Sequence, residues 1–165
     1  MRHLFTFVVS GAIAALSLMG CGSDDSSPNG GSPSQCVGGY DEFSATEFQA
    51  ETEPGKACSS ASDATTVCTN DMPIIGGQCG KGCLGMSDEA ECVPACIQDS
   101  LASGSAKLSQ DCLACYTANI ECAKANCLLK CGADPASIAC SDCRRDSGCA
   151  GTFYSCSGLP EPVSP

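Results

Sequence analysis

The chain has 165 residues, room for one ordinary domain of roughly 100–200 residues. It carries 17 Cys, no Trp, and 8 Lys and Arg against 19 Asp and Glu, for a net charge of −11. Such a charge repels the phosphate backbone of nucleic acid, and the only histidine, His3, falls in the opening segment read below as a cleaved signal, so the chain after it has no imidazole for Ser-His-Asp or Cys-His catalysis or for a His-ligated catalytic zinc.

The opening MRHLFTFVVSGAIAALSLMGC places Arg2 and His3 before an apolar run from Leu4 to Leu18, interrupted only by Thr6, Ser10, Gly11 and Ser17. The run suits the apolar region of an export signal and falls short of the roughly 20 residues that span a bilayer. It ends in Leu18-Met19-Gly20-Cys21, which resembles the lipobox of bacterial lipoproteins: Leu three before the cysteine and Gly directly before it match, and Met19 departs within tolerance. The resemblance implies a signal peptide over 1–20, cleavage after Gly20, and lipid attachment at Cys21 through a diacylglyceryl thioether with acylation of the new amine. Several acyl chains, at about 0.8 kcal/mol per buried CH2, would hold the protein on the bilayer. Gly22 rather than Asp after the cysteine implies, by the family's sorting tendency, the outer membrane of a two-membrane cell, with the cell surface as a further destination.

Residues 21–35 then read as a flexible tether, because GSDDSSPNGGSPSQ contains no apolar residue. Setting Cys21 aside leaves an even number of cysteines for pairing. After residue 20, Leu, Ile, Val and Phe make up only about 13% of the chain, below the roughly 20% at which a charged chain stays disordered. Cysteine replaces that missing core: it makes up about 12% of residues 36–165, above the roughly 8–10% that marks a disulfide scaffold. The expected fold is therefore small, disulfide-rich and mainly α, with short helices clamped as hairpins by C-x3-C and C-x2-C pairs and an irregular N-terminal part. The cysteine-rich module occupies 36–160, irregular over 36–70 and helical over 71–157, with 161–165 as a tail.

Within 36–70 no clean period is visible, and Cys36, Cys58 and Cys68 are expected to pin irregular structure. The acidic aromatic cluster Tyr40, Asp41, Glu42 and Phe43 is the stretch there best suited to meet a partner. Next come a helix from Asp71 to Cys83, loosened by Gly76, Gly77, Gly80 and Gly82, and one from Val93 to Ala102 with Pro94 in its first turn. Ser109 caps a helix from Gln110 to Lys130, with Gly132 just past its end. Asp134-Pro135 opens another to Arg145. Ser147 caps a last one ending before Gly158, with Cys149, Phe153 and Cys156 on one face.

The cysteines repeat: C-x3-C, x8, C-x3-C over 79–96 recurs as C-x3-C, x8, C-x2-C over 127–143. Each spacing sets two thiols about one turn apart on a helix. Antiparallel helices joined by a short loop then place outer opposite outer and inner opposite inner, pairing Cys79 with Cys96, Cys83 with Cys92, Cys127 with Cys143, and Cys131 with Cys140. The pattern looks like helical hairpins clamped by paired C-x3-C motifs. The stretch from Cys79 to CSGLP at 156–160 resembles the cysteine-rich lipoproteins of myxobacterial type, a group that implies no activity and no functional residues.

The function expected from these features is that of a non-catalytic envelope or surface lipoprotein, a structural or binding module held on the membrane through Cys21. Its protein partner in the envelope or outside is unknown, and no nucleic acid, cofactor, metal or catalytic residue is expected. One alternative is thiolate binding of Cu(I) or zinc, since C-x3-C pairs on helices also resemble copper-storage four-helix bundles. Against it, Met72 and Met86 are isolated in sequence, and an oxidising compartment favours disulfides. A lesser alternative is a thiol-disulfide oxidoreductase using Cys112-Leu113-Ala114-Cys115 or Cys140-Ser141-Asp142-Cys143. No strand pattern precedes either pair, and Asp142 would raise a thiol's pKa. The acids Asp41, Glu42, Asp88, Glu89 and Glu91 select no catalytic pair, and no calcium-loop spacing occurs, Asp24 and Asp25 lying in the tether.

Overall fold

A computed structural model describes residues 35–162. The leader, Cys21, Asp24 and Asp25, nearly all of the tether, and residues 163–165 lie outside the described residues. Seven helices follow in order: α1 (Ala45–Glu51), α2 (Ala61–Thr69), α3 (Met72–Gly82), α4 (Glu89–Ala102), α5 (Gln110–Cys131), α6 (Ile138–Asp146) and α7 (Cys149–Ser157). Among the described residues no strand forms, and one isolated antiparallel bridge joins Gln35 to Ser44. The fold is thus small, mainly α and disulfide-rich.

Residues 36–70, expected to be irregular, carry α1 and α2. Both start on side-chain caps that a search for periodicity passes over. Ser44 and Glu47 form a capping box: the Glu47 N–H donates to Ser44 Oγ at 3.3 Å and the Ser44 N–H to Glu47 Oε2 at 2.9 Å. Hydrogen bonding to the carboxylate from the Ser44 side chain and then from its backbone holds the Glu47 carboxyl below its usual pKa. Ser60 caps α2 by accepting from the Asp63 N–H at 3.0 Å. Helices of 7 and 9 residues are too short to show a period, and each is fixed by burial of a few side chains, Phe48 in α1 and Ala64, Val67 and Cys68 in α2.

The helix α3 starts on Asp71, whose Oδ1 accepts from the Ile74 N–H at 3.1 Å. Three of its glycines, Gly76, Gly77 and Gly80, are contact points, while Gly82 faces open space. A Cβ at Gly80 would lie 2.8 Å from Ile120 Cγ2, so the bare backbone lets α5 lie against α3. The helix α4 begins at Glu89, four residues before the expected start, and so places Pro94 inside the helix. The exposed Ala90 carries the carbonyl that Pro94 leaves without its helical donor, and water can satisfy it there.

The helix α5 runs as expected from its Ser109 cap, one residue beyond Lys130 to Cys131, and Gly132 closes it in right-handed geometry at φ −64°. Asp134 does not cap α6. Its carboxylate accepts from the Ala136 N–H at 3.0 Å in a turn, and Ser137 is the cap instead, accepting from the Cys140 N–H at 3.3 Å. Ser147 closes α6 rather than opening α7, which starts on Gly148 at φ 75°. The helix α7 ends at Gly158, φ 73°, and its last turn docks on the N-terminal segment: the Glu53 N–H donates to Gly158 O at 2.7 Å and the Cys58 N–H to Ser157 O at 2.9 Å.

The long helix α5 is the axle, packing against α3, α4, α6 and α7, while α1 and α2 pack on each other. The buried core runs through Phe48, Val67, Met72, Val93, Ile97, Leu101 and Phe153, with many of the cysteines among them.

Candidate functional site

All sixteen cysteines from Cys36 to Cys156 lie in eight disulfides. Cys79–Cys96 and Cys83–Cys92 clamp α3 and the residue that closes it to α4, and Cys127–Cys143 and Cys131–Cys140 clamp α5 to α6. These are the four pairs read from the antiparallel spacing. The other four bonds join distant parts of the sequence: Cys36–Cys68, Cys58–Cys112, Cys115–Cys156 and Cys122–Cys149. Local spacing could not reveal them, because each depends on how α5 meets elements 27 to 54 residues away or, for Cys36, on the fold of the first segment around α2.

Neither C-x2-C motif holds an internal disulfide. Cys112 bonds to Cys58 and Cys115 to Cys156, while Cys140 bonds to Cys131 and Cys143 to Cys127. In α5 the two thiols of Cys112-x2-Cys115 thus tie the helix to two different neighbours. Met72 is buried, whereas Met86 is exposed with its sulfur 3.5 Å from Cys92 Sγ. No group of three or more His, Cys, Asp or Glu side chains suited to hold a metal ion occurs among the described residues. No helix among them is long and apolar enough to cross a membrane.

The acidic aromatic cluster divides between core and surface. Tyr40 is buried with its ring edge-on to Phe48 at 4.7 Å, and Phe43 packs 6.0 Å from the same ring, so both help to close the core around α1. Asp41 and Glu42 remain exposed, as do Asp88 and Glu91. A second aromatic group joins Tyr116, Phe153 and Tyr154 between α5 and α7. Burial pushes the hydroxyls of Tyr40 and Tyr116 far above their usual pKa, with the neighbouring tyrosines adding to the shift and Arg144 opposing it. Burial raises Tyr154 as well.

Asp63 is the one buried carboxylate among the described residues, and sequence reasoning missed it. It accepts from the Ser109 N–H at 2.6 Å, the Ser109 hydroxyl at 2.8 Å and the Ser60 hydroxyl at 2.7 Å. Ser60 and Ser109 cap α2 and α5, so Asp63 joins two helix starts 49 residues apart. Its partners are capping donors, which makes it a latch between elements. The available signal was the Ser60-x-x-Asp63 spacing of a helix start.

Two shallow grooves of about 290 and 610 Å3 meet at Glu121 on α5. The first is lined by Pro94, Leu113, Ala114, Thr117 and Ala118, the second by Leu84, Met86, Ala90, Lys124 and Ala125. In the second, Leu84 is 49% and Met86 47% exposed, and near the end of α5 Leu128 is 44% and Leu129 95% exposed. No protein-family model matches the chain, and neither a curated protein nor a solved structure matches it.

Proposed function

We propose that the protein is an exported, lipid-anchored envelope lipoprotein whose disulfide-hardened helical module acts in binding or structure rather than in catalysis. The observation that carries this reading is the parity of the cysteines. Eight intramolecular bonds consume all sixteen from Cys36 onward, and the seventeenth, Cys21, stands at the end of the apolar leader in Leu-Met-Gly-Cys. A framework this rich in disulfides suits an oxidising compartment outside the cytoplasm. A thioether at Cys21 gives the odd thiol a use that leaves no reactive partner to scramble the others.

After residue 20 the chain carries 7 Lys and Arg against 19 Asp and Glu, a net charge of −12 that disfavours contact of the module with an anionic headgroup layer. Metabolic labelling with a palmitate analogue tests the anchor. The wild-type chain takes up label and sediments with membranes, and Cys21→Ser takes up none; an unlabelled wild type, or label retained on the Ser variant, overturns the reading.

A further inference from the structure

The eight disulfides differ in how far they face solvent. Cys36–Cys68 and Cys58–Cys112 are buried at both ends, and five others each join a buried cysteine to a half-buried one. Cys115–Cys156 stands apart. Cys115 is buried on α5, but Cys156, on the last turn of α7, is the one exposed cysteine among the described residues. Three of the half-buried sulfurs are also screened: Met86 Sδ lies 3.5 Å from Cys92 Sγ, Asn126 Nδ2 3.7 Å from Cys122 Sγ, and Cys140 O 3.8 Å from Cys131 Sγ. Attack on a disulfide requires access to one of its sulfurs, and Cys156 offers the widest access.

Within α7, Cys122–Cys149 holds the start of the helix to α5 and Cys115–Cys156 holds its end. That last turn otherwise rests on hydrogen bonds from the segment between α1 and α2. The Glu53 N–H donates to Gly158 O at 2.7 Å, the Ala57 N–H to Cys156 O at 3.3 Å and the Cys58 N–H to Ser157 O at 2.9 Å, while Lys56 Nζ donates to Ser155 O at 3.0 Å.

We propose that Cys115–Cys156 is a thiol-operated switch, opened at Cys156 by an external dithiol and closed again without loss of the fold. One thiolate of the dithiol attacks Cys156 Sγ, the S–S bond breaks, and Cys115 leaves as a thiolate that takes a proton from water. The second thiolate of the dithiol attacks its own partner's sulfur in the mixed disulfide and releases Cys156, which is protonated in turn. The protein gains two electrons and two protons as two thiols, and the dithiol departs as its disulfide. Cys122–Cys149 and the Phe153 ring, 4.8 Å from Tyr116, keep α7 on α5, so the two thiols stay within reach of each other. What changes is the last turn, which loses its covalent link to α5 and opens more readily from the segment over 53–58.

The proposal does not rest on the lipid anchor, and its test removes the anchor. The whole chain from residue 21 onward, exported with Cys21→Ser, is treated under native conditions with limiting dithiothreitol, quenched in acid, alkylated in denaturant and mapped by peptide mass. The expected result is that Cys115 and Cys156 take up label at least about tenfold faster than any other pair, and that oxidised dithiothreitol reverses it. In this two-thiol form, amide exchange at Glu53, Ala57 and Cys58 speeds up at least about tenfold while that of α3 and α4 is unchanged. In the native state the thiol left by Cys115→Ser reacts with a soluble aromatic disulfide at least about tenfold faster than the thiol left by Cys156→Ser. Another pair labelled first, or all sixteen cysteines labelled together, overturns the proposal. So does exchange at 53–58 that is the same with the bond open and closed.

Discussion

Replacing Cys58 and Cys112 together with alanine cuts the covalent link between the segment before α2 and the start of α5. The bond spans 54 residues, and Cys79–Cys96 inside that span already bridges 17 of them. The remaining flexible loop is about 38 residues, whose closure entropy corresponds to about 4 kcal/mol at 25 °C. Cys83–Cys92 spans only 9 residues, and its closure corresponds to about 2.5 kcal/mol. Cys58 and Cys112 are both fully buried, whereas in the shorter bond only Cys83 is. Each buried sulfur removed adds roughly 1 kcal/mol for the void it leaves. Losing Cys58–Cys112 therefore costs about 6 kcal/mol and losing Cys83–Cys92 about 3.5 kcal/mol. At roughly 4 °C per kcal/mol for a domain of this size, the two double variants should melt about 10 °C apart. Thermal unfolding followed at 222 nm without reductant reads the difference. Equal melting temperatures, or a lower one for the Cys83/Cys92 variant, would refute the claim that the long bond does more to hold the fold.

Asp63→Ala removes three hydrogen bonds, from the Ser109 N–H and from the Ser60 and Ser109 hydroxyls, and should lower stability by about 3 kcal/mol, while Asp63→Asn, which keeps one oxygen in place, loses about half as much. Guanidinium midpoints decide it, and an alanine variant as stable as the asparagine one contradicts the latch. All three tyrosines are shifted upward, so the native state holds protons that the unfolded chain gives up above about pH 10. Stability must therefore fall as pH rises through that value, and in a spectrophotometric titration the tyrosinate signal of Tyr40 and Tyr116 appears only together with loss of helical signal. Ionisation of all three in the folded protein at the pH of free tyrosine would contradict their burial. Gly77→Ala, which in an open helix gains about 1 kcal/mol, should here destabilise, because its Cβ would lie 2.4 Å from Cγ of the rigid Pro135 ring. A higher melting temperature for this variant would show that the α3 contact with Pro135 is not tight.

What the sequence made legible was what is local. Ser109 and the long stretch to Gly132 announce α5, and the repeated C-x3-C spacing announces the hairpins, because cap chemistry and helical pitch act within a few residues. The start of α4 was hidden by Pro94, since the rule that confines proline to a first turn yields where the freed carbonyl is exposed to water. Asp134-Pro135 and Ser147 each lost the cap role to a neighbour three residues later or one residue later, Ser137 and Gly148. Competing caps differ by less than about 1 kcal/mol, so the surrounding packing chooses between them. Pro135 shows the packing at work: its ring fills the space over Gly77, a contact between α3 and the loop after α5 that no window of sequence contains. The same holds for Tyr40 and Phe43, whose acidic neighbours suggest a surface while their rings complete the core around Phe48.

The most direct test is the mass of the protein recovered from membranes, denatured and alkylated with and without prior reduction. A fold held by eight disulfides with Cys21 blocked by lipid takes up no alkyl group before reduction and sixteen after it. Seventeen after reduction would leave the disulfides standing and remove the lipid from Cys21. Alkylation of several cysteines beyond Cys36 without any reductant would contradict the disulfide framework itself.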